Sequence, residues 1–120
     1  MKKGFTLIEL LVVSTIIATL IGIASVSYVN TTKSARDAKR ETDLEQIRQA
    51  LETYRGENSI YPAAASWTTT LTSGGYISVI PVDPKTQQDY TYTQPISTTT
   101  YSLCADIELP SATTHCVTEP

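Results

Sequence analysis

Apolar residues fall along this chain in three different rhythms. Residues 5–29, FTLIELLVVSTIIATLIGIASVSYV, are almost continuously apolar. About 20 apolar residues in a helix cross a bilayer core of roughly 30 Å, so the run predicts a membrane-spanning helix. Residues 30–57 are mostly polar, with Leu44, Ile47, Leu51 and Tyr54 as the large apolar residues and Ala50 beside them. Their i, i+3, i+7, i+10 spacing predicts one apolar stripe on an otherwise solvated helix. Lys33–Asp37, Lys39–Asp43 and Arg48–Glu52 are opposite charges four apart, a spacing that supports the same helix. Gly56, Asn58 and Pro62 predict its end. A single helix over residues 5–55 would be about 75 Å long, a rod with a head. Beyond it the period shortens to two. Tyr90 and Tyr92, then Tyr101, Leu103, Ala105, Ile107 and Leu109, alternate as strands do. A hairpin loop is expected at 94–99, a third short strand near 115–118, and a Gly- and Pro-broken connector over 71–84. The pattern predicts an α+β fold: a long N-terminal helix whose amphipathic half packs on a small antiparallel sheet.

Charge sharpens the division. Residues 4–32 carry one charge, Glu9; residues 33–57 carry 12, six of each sign; residues 58–120 carry one lysine and five acids among 20 Ser or Thr. The net charge of −3 argues against a generic nucleic-acid binder and leaves any nucleic-acid partner undecided. The basic cluster Lys33, Arg36, Lys39 and Arg40 is interleaved with Asp37, Glu41 and Asp43. It therefore reads as a solvated face rather than a contact for lipid headgroups or DNA. Lys2 and Lys3 before the apolar run place the N-terminus in the cytoplasm. A secretory signal peptide has a shorter apolar region without a carboxylate, although Ser25-Val26-Ser27 would pass as a cleavage site. A plain anchor leaves Glu9 as an unexplained cost, since intramembrane carboxylates usually have a partner. No Lys, Arg or His lies within reach of it on the same helix, so the partner is expected from another chain or from a newly made amine.

Lys2-Lys3-Gly4-Phe5-Thr6-Leu7-Ile8-Glu9, opening a long apolar helix, resembles the processing site of type IV pilins and of the pseudopilins of type II secretion. The resemblance implies that a prepilin peptidase cuts after Gly4 and methylates Phe5, and that Glu9 pairs with the Phe5 amine of a neighbouring subunit. It divides the chain into a leader (1–4), a transmembrane and filament-core helix (5–29), an amphipathic continuation (30–57) and a small β-rich, pilin-like head (58–120). Thr6, Ser14, Thr15, Ala18, Thr19, Gly22, Ala24, Ser25 and Ser27 are small enough to let helices approach closely. Many family members carry a proline in this helix; here none precedes Pro62, and Gly22 is the one weak point in the apolar half. The function implied is structural and not enzymatic: a subunit of a type IV pilus-like filament. The alternatives are a secretion pseudopilin, or a minor pilin acting in adhesion or DNA uptake. The partners implied are like subunits, the prepilin peptidase, an assembly ATPase and a membrane platform. The location implied is the cytoplasmic membrane with the head outside, and then an extracellular filament.

In the head the resemblances diverge. The Ile60-Tyr61-Pro62 exit and the stretch from Ile80-Pro81 to Tyr90-Thr91-Tyr92 look like the major pseudopilin. Cys104 and Cys116 look like the disulfide-bounded end of a type IV pilin. Outside the cytoplasm such a pair favours a disulfide, worth roughly 3 kcal/mol by loop closure. Zinc held by Cys104, His115 and Cys116 fits no usual ligand spacing, and a Cys–His nucleophile has no third group suggested. Some heads in the pseudopilin family bind calcium, for which Asp83, Asp89, Asp106 and Glu108 are the available oxygen donors. They form no calcium-loop pattern, so they read as surface solubility, and no cofactor is expected. The runs Thr68–Thr70 and Thr98–Thr100 read as exposed strand edges or loops.

Overall fold

The computed structural model describes residues 4–94 and 99–119, the side chains of Val26, Ser27 and Glu119 excepted. The expected leader thus falls largely outside the described residues, as do most of the 94–99 loop and the side chain of Ser27. Two helices and three strands follow in the order α1 (Leu7–Asn58), α2 (Trp67–Ser73), β1 (Thr91–Thr93), β2 (Tyr101–Ile107) and β3 (Thr113–Glu119). The chain divides into two compact units, Met1–Lys33 and Ser34–Pro120.

In the first unit α1 is long and apolar enough to cross a membrane, and its most apolar stretch is not buried inside the protein. Phe5, Leu7, Ile8, Leu10, Ile16 and Leu20 are all exposed. A hydroxyl in such a helix has no water to bond, so each turns back onto the ladder. Ser14 donates to the Leu11 carbonyl, Thr15 to Val12, Thr19 to Ile16 and Ser25 to Ile21. Four polar side chains thereby hide their polarity and remain small.

The second unit holds the core. Leu44, Ile47, Ala50 and Leu51 of α1 are buried, as their spacing predicts, and Tyr54 packs half-buried beside them. The helix does not stop at Gly56, which lies inside it. It stops at Ser59, whose φ of 63° turns the chain left-handed while its amide still reaches the Arg55 carbonyl at 2.7 Å. The Asn58 side-chain amide caps the Tyr54 carbonyl at 2.9 Å.

After the buried Tyr61 and Pro62, α2 occupies part of the stretch expected to be extended or irregular. Thr68–Thr70 lie in this helix, not on a strand edge, because Trp67 and Leu71, one turn apart, bury against the core. Gly74 and Gly75 then turn the chain: Gly75 has φ 77°, and a Cβ on Gly74 would run into the Tyr76 ring.

The sheet is antiparallel in the order β1-β2-β3, with Tyr92 opposite Leu103 and Cys104 opposite Cys116. Alternation sends Tyr92, Tyr101, Leu103 and Ala105 into the core. Tyr101 meets the Tyr61 ring edge-on at 4.6 Å, and Tyr92 stacks on Trp67 at 5.2 Å. Leu109 falls beyond the end of β2 and does not continue the buried face. The third strand is longer than expected, and Val117 is its one half-buried residue among the described side chains. The predicted architecture, a long helix with a small three-stranded antiparallel sheet, is the one observed.

Candidate processing and assembly site

Gly4, Phe5 and Thr6 precede the first turn of α1, exposed and outside any helix or strand. Nothing lies within 4 Å of where a Gly4 Cβ would be, so the Gly4–Phe5 bond is sterically open. Thr6 and Glu9 then close a reciprocal cap on the helix. The Thr6 amide and hydroxyl donate to Glu9 Oε2 at 2.9 and 2.7 Å, and the Glu9 amide donates to Thr6 Oγ1 at 3.3 Å. A capping residue of this kind contributes about 1 kcal/mol to a helix, and here it also supplies a carboxylate in an apolar stretch with donors. Glu9 thus takes neutral donors from Thr6 next to it, while no Lys, Arg or His pairs with it among the described residues. The Thr-x-x-Glu spacing is the sequence signature of this cap. Glu9 Oε1 has no hydrogen-bond partner among the described residues.

The second unit carries a cluster of charges the sequence misassigned. Arg40, expected on a solvated face, has only 2% of its side chain exposed. Its Nε and Nη2 donate to the two oxygens of Asp83 at 2.6 and 3.3 Å. Its Nη1 donates to Asp37 at 2.7 Å and to Glu108 at 3.1 Å. Arg36 grips Glu108 with two parallel bonds of 2.8 and 2.9 Å, and Lys85 reaches the same carboxylate at 3.2 Å. Backbone amides finish the arrangement. Asp37 accepts those of Glu108 and Leu109, and Asp83 accepts those of Lys85 and Thr86.

The Arg40 guanidinium, helped by the Thr86 and Lys85 amides, holds the Asp83 carboxyl well below the usual carboxylate range. Arg36 first, then Arg40 and Lys85, hold Glu108 low in the same way. Bonds to Asp83, then to Asp37 and Glu108, push Arg40 up despite its burial. Nearby, Tyr90 donates to Asp43 at 2.8 Å, and Lys39 pairs with that carboxylate at 3.3 Å. Burial pushes the Tyr92 phenol up to about 12.

Asp83 and Glu108 are thus not surface solubility: their oxygens are taken by Arg40, Arg36, Lys85 and backbone amides. Asp89 and Asp106, the other two candidates, are exposed, and Asp106 accepts the Thr114 hydroxyl. Among the described residues no group of three His, Cys, Asp or Glu side chains is arranged to hold a metal ion. Arg48 turns back to Glu45 rather than on to Glu52, and Glu52 instead accepts the Tyr61 hydroxyl at 2.6 Å.

Cys104 and Cys116 are joined, with S–S 2.08 Å, across directly opposed positions of β2 and β3. A thiol in a disulfide neither ligates zinc nor attacks as a nucleophile, so both alternatives for this pair fall away.

Comparison with known proteins fits this division of the chain. The prokaryotic N-terminal methylation motif matches residues 1–25, and the family described as type II secretion system (T2SS), protein G, matches residues 27–106. Cys116 lies beyond the matched stretch. A type II secretion system core protein G of Vibrio cholerae is 31% identical, with 78% of this chain and 72% of that protein covered. The core protein G of Klebsiella pneumoniae is 30% identical, covering 69% of each, and that of Aeromonas hydrophila is 28% identical, covering 69% and 67%. No solved structure matches. These likenesses favour the secretion reading over the type IV pilus that the sequence alone put first. With its methylation motif, its apolar N-terminal helix and its small sheet, the chain belongs to the type II secretion protein G family of pilin-like proteins.

Proposed function

We propose that this protein is a structural subunit of a secretion pseudopilus, with no chemistry of its own. It is inserted through the apolar half of α1 with its head outside the cytoplasm. A prepilin peptidase cuts it between Gly4 and Phe5 and methylates the new Phe5 amine. It then polymerises with like subunits, driven by an assembly ATPase on a membrane platform. The observation that carries the reading is the junction of an open Gly4–Phe5 bond with a capped, carboxylate-bearing start to a long unburied apolar helix. The match to protein G over most of the remaining chain supports it.

In this reading the neighbour's cationic Phe5 amine pairs with Glu9 through the oxygen that Thr6 leaves open. An unpaired charge in an apolar bundle is penalised, so the pair sets the register of the incoming subunit. Mass spectrometry of the mature protein tests the first step, with a singly methylated Phe5 as the expected N-terminus. Recovery of intact Met1 on assembled protein would overturn the reading. Deleting the protein in its native cell tests the second, with exported proteins expected to be retained by the cell instead of released. Loss of surface pili with secretion intact would instead favour the pilus subunit to which the Cys104–Cys116 bond bears a likeness.

A further inference from the structure

The two sulfurs of the Cys104–Cys116 bond have different surroundings. Tyr92, Leu103 and Ala105 point into the core, so Thr91, Ser102 and Cys104 point out of it, and Cys116, opposite Cys104, points out with them. Cys116 is exposed, whereas Cys104 is half-buried. Cys104 lies on the central strand, with Thr91 of β1 directly opposite it on the side away from Cys116. β3 is an outer strand, and among the described residues no strand lies beyond Cys116. The Ser102 hydroxyl donates to Cys104 Sγ at 3.4 Å, and among the described residues no hydrogen bond reaches the Cys116 sulfur. Asp106 stands two positions from Cys104, opposite Thr114, which stands two positions from Cys116. It flanks both sulfurs and does not choose between them.

Thiol–disulfide exchange is governed by these differences. A thiolate attacks the sulfur it can reach, and the other sulfur departs faster the better its developing charge is met. Reach favours Cys116, on the open edge of the sheet. Departure favours Cys104, because the bond from the Ser102 hydroxyl strengthens as that sulfur gains negative charge. We propose that the Cys104–Cys116 bond is a thiol-exchange site of fixed polarity, in which an incoming thiolate bonds to Cys116 Sγ and expels Cys104. The S–S bond breaks, its electron pair goes to Cys104 Sγ, and Cys116 carries the mixed disulfide. A second thiol of the same reductant then attacks the reductant's own sulfur in that mixed disulfide and releases Cys116. The dithiol ends as its disulfide, and the protein pair gains two electrons and the two thiol protons. In the reverse direction Cys116 is the first to meet an oxidising disulfide, and Cys104 closes the ring. The reactant is thus a dithiol, either a small molecule or the paired cysteines of an oxidoreductase.

The test uses the full, folded chain in detergent micelles and two thiol probes that stop at the mixed disulfide. One is reduced glutathione; the other is a two-cysteine oxidoreductase whose second cysteine is replaced by serine. Samples are quenched early with iodoacetamide and mapped by peptide mass spectrometry. The adduct is expected on Cys116, in about tenfold or greater excess, with the alkyl group on Cys104. An adduct mainly on Cys104, an even division, or no adduct until urea unfolds the chain would each overturn the proposal. With the polarity upheld, reaction of the protein probe as well as glutathione identifies an oxidoreductase as a fitting reactant, and reaction of glutathione alone confines the site to small thiols. Ser102→Ala is expected to exchange about three- to tenfold more slowly, still at Cys116, having lost one hydrogen bond to the departing thiolate. Ser102→Thr keeps a hydroxyl and should restore the rate. Exchange of Ser102→Ala at the wild-type rate would overturn the assignment of Cys104 as the supported leaving group. Fluorescence of Trp67, the single tryptophan and buried in this core, reports that each variant is folded. Should Ser102→Ala fail to fold, the position of the adduct on the wild-type chain decides.

Discussion

Asp83 accepts from a guanidinium and two amides, and Glu108 from three cations, so both are ionised in the fold far more readily than in the unfolded chain. A carboxyl whose pKa is depressed on folding stabilises fully above its unfolded value, and that stabilisation drains away as pH falls through the depressed one. The melting temperature should therefore be level from about pH 8 to about pH 5 and fall below about pH 4. Asp83→Asn should lower the plateau and flatten the acid limb, because one of the two groups responsible no longer titrates. A variant with the wild-type acid slope would show that Asp83 takes no part. Leu103, fully buried at the middle of β2, should cost about 2–5 kcal/mol as Leu103→Ala, read by urea unfolding.

The Leu103 position is legible from alternation alone. Arg40 is not: besides Asp37 on its own helix, its partners lie 43 and 68 residues further along, and a charge run on a helix ordinarily faces water. Only the fold tells the arginine that serves the core from the lysine that serves the solvent. At the other end, Glu9 was legible as an anomaly and half legible as a site. Its cationic partner must come from another chain, whereas its cap was written three residues earlier.

At the level of elements, periodicity located whatever has a continuous face to bury. The stripe from Leu44 to Leu51 and the inward residues of β2 are examples. It failed for α2, where five of seven residues are Thr or Ser around two apolar anchors, too short a pattern to distinguish from a loop. The end of α1 is placed to within a residue, but the terminator differs: glycine is the usual left-handed residue, and here Ser59 does that work. Ser59→Gly should relieve the strain and raise stability by about 0.5–1 kcal/mol, measured by the urea midpoint, while Gly56→Ala inside the helix should also be stabilising. The third strand has little core of its own, so its attachment rests on its ladder to β2 and on the disulfide. Replacing Cys104 and Cys116 together by Ser should cost about 2–4 kcal/mol. Amide hydrogen exchange should accelerate mainly over residues 113–119 while the amides of 44–51 stay protected. Uniform loss of protection would show instead that the third strand is integral to the core.

Across the whole molecule, the apolar half of α1 and the motif that opens it are common to pili and secretion pseudopili, which is why the sequence alone could not choose between them. Assembly itself has a sharp signature. When wild-type and Glu9→Ala chains are co-expressed, the variant should be made and membrane-inserted normally, since removing a carboxylate eases insertion. It should then be scarce in sheared filaments, because a neighbour's amine entering the apolar bundle meets no counter-charge. Equal ratios of the two chains in filaments and membranes would refute the pairing. The direct opposition of Cys104 and Cys116 in the β2–β3 register has a consequence of another kind. Sliding the last strand by a single residue would turn one sulfur to the opposite face of the sheet, out of bonding range. In the folded sheet the bond is therefore compatible with one alignment alone. Once closed it works as a locating pin: a chain that carries it cannot keep its final strand slipped by a single residue.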